Sequence, residues 1–405
     1  MSLPRLSTVP GPPSSGSPEW VVPLSELNCG ETEMHEVMRV LRSGWWTCGP
    51  ETDELEREFE RRLGVRHAVA VSSGTAALHL AFRALGFSDG AEVVTPSFTF
   101  VAAANTLMNA GAVPRFADVE SMVAPVVSAA TLERALTPET RGICVMHYGG
   151  YPCEMNSIMD LARRRNLRVV EDAAHAPGAS LNGIACGRWG DVGCFSFFGN
   201  KNLTCAEGGL VVTEDDDLAG KIRLLRSHGM SSLTWDRFRG HSFSYDVTEA
   251  GFNFRMDDVR AALARVQLEQ LDRWNDLRKE RVGWYRGMLG ADPRWSIVFE
   301  KYEGSPAFHL FAVVLEKGIS RTHVMRYLKS KGIQSSIHYP PIHQFSYYAA
   351  LPLPKRRLPV TDSLGSRILT LPLFPSMTYE QVALVSGAFR EAVDDAGTCR
   401  QEVIH

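Results

Sequence analysis

The chain reads as an α/β protein: a large domain with a mostly parallel seven-stranded sheet flanked by helices, followed by a smaller α+β C-terminal domain. Three observations predict this. Short β-rich runs recur through the first half, and several are separated by amphipathic helical patterns. At 405 residues, with 44% hydrophobic and 22% charged residues, the chain can bury the core of two or more structural domains.

Residues 1–20 are rich in Pro, Ser and Gly and lack the apolar core of a signal peptide, so they read as a disordered tail. Two amphipathic helices then flank Ser43-Gly-Trp-Trp-Thr-Cys-Gly-Pro50, one patterned by Met34, Val37 and Leu41, the other by Leu55, Phe59 and Leu63. Seven strands are expected at 68–71, 92–95, 113–117, 143–146, 168–171, 194–197 and 210–213, with helices at 76–85 and 156–166 among the connections. A long helix begins at Asp257, with Val259, Leu263 and Val266 on one face, and continues past Trp274 as a bridge. Strand-like runs at 308–315 and 333–338 enclose a helical pattern at 322–331, and a helix over 378–393 ends the fold. The division expected is a tail over 1–20, a large domain over 21–270 and a small domain over 271–405.

Formal net charge is −3 and no long basic run occurs, which argues against a nucleic-acid or lipid partner. No apolar stretch approaches the roughly 20 residues that span a bilayer. The eight cysteines are scattered without a Cys-x-x-Cys pair, the pattern of reduced thiols in a cytoplasmic protein. A metal centre on His147, Cys153 and His175 matches no ligand spacing, so no metal is expected. Small molecules are the expected ligands.

Several residues at strand ends carry the chemistry. Lys201 follows an apolar strand and precedes the pair Gly208-Gly209; partial burial there would depress its pKa and free an amine able to form an imine. Ser72-Ser-Gly-Thr75 opens a helix whose unbonded N–H groups attract phosphate. Asp172 and His175 follow the fifth strand and would face the same crevice, where a carboxylate can keep a pyridine nitrogen protonated. Phe98 or Phe100 could lie flat on an aromatic ligand, and the Ser196 hydroxyl could reach a phosphate. Alone, each has an ordinary role: helix caps for Ser73 and Asp172, core packing for the rings and His175. Together they place an anion cradle, an aromatic platform, a carboxylate and a lysine on successive strand ends.

With these motifs, and with Gly251-Phe-Asn-Phe-Arg-Met256 and Ile337-His-Tyr-Pro340, the sequence resembles the DegT/StrS family of nucleotide-sugar aminotransferases, from about residue 23 to 392. The resemblance implies PLP fold type I, pyridoxal 5'-phosphate as cofactor, and a homodimer with shared active sites. It also assigns roles. Lys201 would form the imine, Asp172 would pair with the pyridinium nitrogen, and His175 would contact the phenolic oxygen, where many relatives carry glutamine. Phe100 would stack on the ring; Gly74, Thr75 and Ser196 would hold the phosphate, joined by Asn253 and Arg255 from the partner chain. Lys201 also separates this chain from a related branch that removes a sugar hydroxyl and carries histidine there. Cys205-Ala206 departs from a frequent Thr-Gly or Gly-Gly, and Asn156 from a frequent aspartate.

The reaction implied moves an amino group from L-glutamate to a keto-sugar nucleotide, in antibiotic or polysaccharide amino-sugar biosynthesis. The alternatives are a cyclitol ketone as acceptor, or a PLP-binding regulator without turnover. Trp235, His241, His338 and Tyr339 are expected to border the substrate, with packing of a dimer loop as the competing role for the stretch that begins at Ser227.

Overall fold

The computed structural model describes residues 20–231, 244–353 and 356–398. The seven strand runs read from the sequence form one sheet. They are β1 (His67–Val71), β2 (Glu92–Pro96), β3 (Val113–Ala117), β4 (Thr140–Met146), β5 (Arg168–Asp172) and, beyond the hairpin β6 (Ser180–Leu181) and β7 (Ile184–Ala185), β8 (Val192–Ser196) and β9 (Gly209–Thr213). Their order is β1-β9-β8-β5-β4-β2-β3, with β9 antiparallel to both neighbours and the remaining pairs parallel.

The strands are apolar on both sides because both faces are covered. Ala68 and Ala70 enter one layer while Val69 and Val71 enter the other, and Leu210 and Val212 alternate with Val211 in the same way. The covering helices in this part are α1 (Glu31–Ser43), α2 (Pro50–Leu63), α3 (Gly74–Ala84), α4 (Ala102–Asn109), α5 (Ala129–Glu133), α6 (Met155–Arg165), α7 (Asp216–Arg226) and α8 (Asp258–Leu289). Leu55, Phe59 and Leu63 of α2 share a buried layer with Leu268 and Leu271 of α8. Gly49 offers no side chain to cap α2. Asp258 caps it from a distance, accepting hydrogen bonds from the Gly49 and Thr52 amides and the Thr52 hydroxyl at 2.8, 3.1 and 2.7 Å.

The expected stripe on α1 is not its buried face. Met34 and Leu41 are exposed, while Val40 is buried and Glu33 accepts from Gln267 Nε2 at 2.9 Å. Periodicity showed where the apolar residues fall, not which ones another part of the chain would cover.

α8 runs without interruption across residue 270 and leads to a three-stranded antiparallel sheet of β10 (Trp295–Ile297), β11 (Phe311–Leu315) and β12 (Ile368–Leu371), with β11 central. Helices α9 (Arg321–Ser330), α10 (Ser346–Ala350), α11 (Pro359–Arg367) and α12 (Tyr379–Thr398) complete this region. The segment 333–338, expected as a strand, makes only isolated bridges: Ile333 pairs with Val22 and Ser336 with Thr370. Its two ends meet different partners, so no continuous ladder forms. Val22 thereby joins the C-terminal region, bonded to the Gly332 carbonyl and the Gln334 amide.

Between Lys201 and β9 the chain turns through Ala206 at φ +71°, in the left-handed region where a Cβ costs about 1–2 kcal/mol. Glycine would adopt this conformation without that cost. Ala206→Gly is expected to stabilise the protein by about 0.5–1 kcal/mol once the greater freedom of the unfolded glycine is subtracted, seen as a higher urea midpoint at unchanged slope.

Candidate active site

The C-terminal ends of β1, β2, β4, β5 and β8 open into one cavity of about 340 Å³, the position at which an open α/β sheet presents its ligand crevice. The β1–α3 turn supplies Ser73, Gly74 and Thr75, the loop after β2 supplies Phe100, β5 and its following turn supply Asp172 and His175, and β8 leads to Ser196 and Lys201. His338 and Tyr339 reach the same space from the C-terminal region.

Burial acts in opposite directions on the two central groups. It lowers the Lys201 ammonium pKa to about 8, against which the nearby Asp172 charge acts. It raises the Asp172 carboxyl above its usual range, offset in part by the Ala174 amide, which donates to Oδ1 at 3.1 Å, and by Lys201. The resulting amine is far more available than an ordinary lysine's. Moving a pKa from 10.5 to about 8 raises the neutral fraction at pH 7 about 300-fold.

His175 has a fixed tautomer. The Gly149 amide donates to Nδ1 at 3.2 Å, so the proton lies on Nε2, which is 2.9 Å from the Tyr339 hydroxyl. Burial first, and then Lys201, hold this imidazole well below its ordinary pKa, leaving a neutral N–H donor at the cavity.

The turn between β1 and α3 is built for close approach. Ser73 caps α3 by accepting from the Ala76 amide at 3.1 Å, while the first N–H groups of the helix, Gly74 and Thr75, precede its hydrogen-bond ladder. A Cβ on Gly74 would lie 2.7 Å from Ser196 Cβ, so glycine is what lets the helix start and the Ser196 hydroxyl converge. The two candidate phenylalanines separate: Phe98 is buried against Tyr148, whereas Phe100 is 54% exposed and lines the cavity.

The remaining expected residues lie elsewhere. Asn253 is exposed and Arg255 half-buried, on a segment that pairs with Ser227 and with Val71; neither lines the cavity of its own chain. Trp235 and His241 fall outside the described residues.

Sequence reasoning missed a polar web beneath Lys201. Asn202 Nδ2 donates to Asn275 Oδ1 and to the Ala307 carbonyl at 2.8 and 2.7 Å, which fixes the amide so that its oxygen accepts from His309 Nδ1 at 2.8 Å. His309 in turn packs on His175, with ring centroids 4.2 Å apart. A second web surrounds Glu171. Its carboxylate accepts from the amides of Gly187, Trp189 and Gly190 and from His147 Nε2, whose Nδ1 is occupied by the Cys153 amide. His147 is therefore committed inside the fold and does not line the cavity.

A lysine whose pKa is lowered to about 8, a buried carboxylate and a helix start that share one cavity form an arrangement able to support imine chemistry. Residues 28–390 match the model of the DegT/DnrJ/EryC1/StrS aminotransferase family, and the chain belongs to that family. It is a pyridoxal-phosphate-dependent transaminase. Among solved structures, PseC from Helicobacter pylori, an aminotransferase involved in the biosynthesis of pseudoaminic acid, is 27% identical, with 93% of this chain and 100% of that one aligned at a TM-score of 0.87. DesV from S. venezuelae, solved in complex with a ketimine intermediate, is 34% identical over 91% of this chain and 98% of its own, with a TM-score of 0.84. An aminotransferase from Streptococcus pneumoniae is 27% identical in its PMP form, covering 93% of this chain and 100% of its own at a TM-score of 0.87, and is also known in a PLP form.

The residues present fit the cofactor. The glycine-permitted cradle at Gly74 and Ser196 suits a phosphate, Asp172 suits a protonated ring nitrogen, and Lys201 suits a carbonyl carbon.

Two outcomes follow from this geometry. In the cofactor-free protein, acetylation of Lys201 by acetic anhydride, read by peptide mass spectrometry, should rise with pH and reach half its maximum near about 8, where an exposed lysine would do so near 10.5. Gly74→Ala should force Ser196 away from α3 and weaken pyridoxal 5'-phosphate binding at least about tenfold in a fluorescence titration, while the far-ultraviolet circular dichroism stays unchanged.

Proposed function

We propose that this enzyme transfers an amino group from L-glutamate to a keto-sugar nucleotide, a 4-keto-6-deoxyhexose or a 3-keto sugar, in amino-sugar biosynthesis. The observation that carries the reading is Lys201: an amine whose pKa burial brings down to about 8, lining the same cavity as Asp172 and the Gly74–Ser196 cradle. The resemblance of the fold to PseC and DesV supports a sugar as the acceptor.

Bound pyridoxal 5'-phosphate supplies a carbonyl carbon and an electron-withdrawing ring. The chain's own groups do the rest. Gly74, Thr75 and Ser196 would hold the phosphate, Phe100 would lie against the ring, and the His175 Nε2–H, which here meets the Tyr339 hydroxyl, would be the donor for its phenolic oxygen. Asp172 keeps the ring nitrogen protonated, and its own burial strengthens that interaction. Lys201, the amine at this cavity, would hold and move the proton between the donor carbon and the carbonyl-derived carbon, and would do the reverse for the acceptor. A pKa of about 8 suits a group that must both accept and donate at neutral pH.

The enzyme acts as a cytoplasmic homodimer with shared sites. The exposed apolar stripe of Met34, Met38 and Leu41 on α1, with the exposed Trp46 bonded to the Leu41 carbonyl beside it, supports the dimer, because contiguous large apolar groups mark a surface that a partner covers. Asn253 and Arg255, away from their own cavity, would then enter the partner's. His338 and Tyr339 border the acceptor, with Trp235 and His241 assigned to the same pocket.

Lys201→Ala is expected to lose more than about 100-fold in both half-reactions, because it removes the proton carrier as well as the covalent anchor. The holoenzyme should lose its lysine-bound absorbance band on addition of L-glutamate alone, and a 4-keto-hexose nucleotide should restore it. Restoration by a keto-cyclitol instead would assign the acceptor to the cyclitols. No spectral change with any amino donor would favour a regulator without turnover.

A further inference from the structure

Behind Lys201 lies a second, smaller space of about 30 Å³, enough for one or two water-sized occupants, bordered by Lys201, Thr204, Arg278, His309 and His338. It meets the main cavity at Asn200, Lys201 and His338, which line both. Arg278, on α8, is 94% buried, being only 6% exposed. Among the described residues its Nη1 has no hydrogen-bond partner, and none of their carboxylates lies within ion-pair distance of the guanidinium. Burial alone lowers its pKa, to about 9, with no acidic neighbour opposing the shift. Among the described residues the one carboxylate at this space is Glu26, which is exposed and accepts from the Ser376 hydroxyl at 2.6 Å.

A guanidinium at this pKa is still charged at neutral pH, and a buried cation without a counter-charge is costly enough that folds pair it or neutralise it. Water satisfies donors but not charge. The two histidines at the space are neutral, since burial holds His309 well below its ordinary pKa and His338 at about 4, so the neighbouring Lys201 ammonium adds positive charge that they do not offset. We propose that this cavity is an anion site in which Arg278 binds a monoanion the size of a chloride ion or a carboxylate group. Its planar donors match a carboxylate in two-point contact, and a halide fits the same volume. The occupant has two possible sources, a free salt ion or the distal carboxylate of the amino donor entering past Lys201. The site does not depend on which sugar the enzyme serves.

The test uses the cofactor-free protein and chloride at constant ionic strength, with methanesulfonate, too large for the space, as the replacement anion. Raising chloride from 5 to 500 mM should lift the thermal midpoint by several degrees through preferential binding to the folded state. Arg278→Lys should keep part of that rise and Arg278→Gln should lose it, and bromide in crystals should appear beside Arg278. In the holoenzyme, competition between chloride and L-glutamate, seen as a KM for glutamate that climbs with chloride and no longer does so in Arg278→Gln, assigns the carboxylate to the donor. A chloride-dependent midpoint without that competition assigns a resident salt ion. The proposal is overturned if the midpoint of the parent is indifferent to chloride, or if Glu26→Gln lowers stability as much as Arg278→Gln does, which would make Glu26 the counter-charge.

Discussion

The desolvation of Asp172 and Lys201 in a shared cavity is the constraint around which the other site features are arranged. Burial makes an ammonium and a carboxylate each less favourable, and each partly restores the other. Neither can be moved into water without losing what makes it useful. Their positions come from adjoining strands: Asp172 ends β5, and Lys201 lies five residues beyond Ser196, the end of the neighbouring β8. A strand end sets Asp172, and the turn that leaves the neighbouring strand sets Lys201.

The residue before Asp172 does the structural half of the work. Successive strand residues face opposite ways, so Glu171 points away from Asp172 into the fold. There it gathers three amides of the turn before β8 and the ring of His147, which follows β4. A buried carboxylate that accepts from four donors leaves little of its hydrogen-bonding capacity unused. It fastens β4, β5 and the approach to β8 together, and so fixes the strand ends from which the cavity is built.

Much of this was legible in the sequence, for reasons that are local. All seven sheet strands were visible as short β-branched and apolar runs, and the strand-end residues Ser73, Asp172, His175 and Lys201 follow directly from where those runs stop. What was hidden depends on contacts between distant segments. Asn202, Asn275 and His309 look like ordinary polar residues until the fold brings together positions about 70 and 107 apart. Arg278 stands in the charged run Arg278-Lys-Glu-Arg281, the pattern of a solvated helix face, and only the packing of α8 shows that it is buried. β10 and β12, three and four residues long, are too short to show a period. The left-handed turn at Ala206 was visible only as a departure from relatives.

The three histidines near Lys201 make chemical sense together. As imidazolium ions, His175, His309 and His338 would each repel the ammonium and leave Lys201 permanently neutral. Burial keeps them neutral instead, with His338 at about 4 and the other two well below their ordinary value. Neutral rings act as oriented dipoles and hydrogen-bond partners, so the balance on Lys201 is left to two opposed influences, burial and Asp172. A group balanced in this way costs little to protonate and little to deprotonate. That is the requirement for one amine to take a proton from one carbon and deliver it to another within a single site.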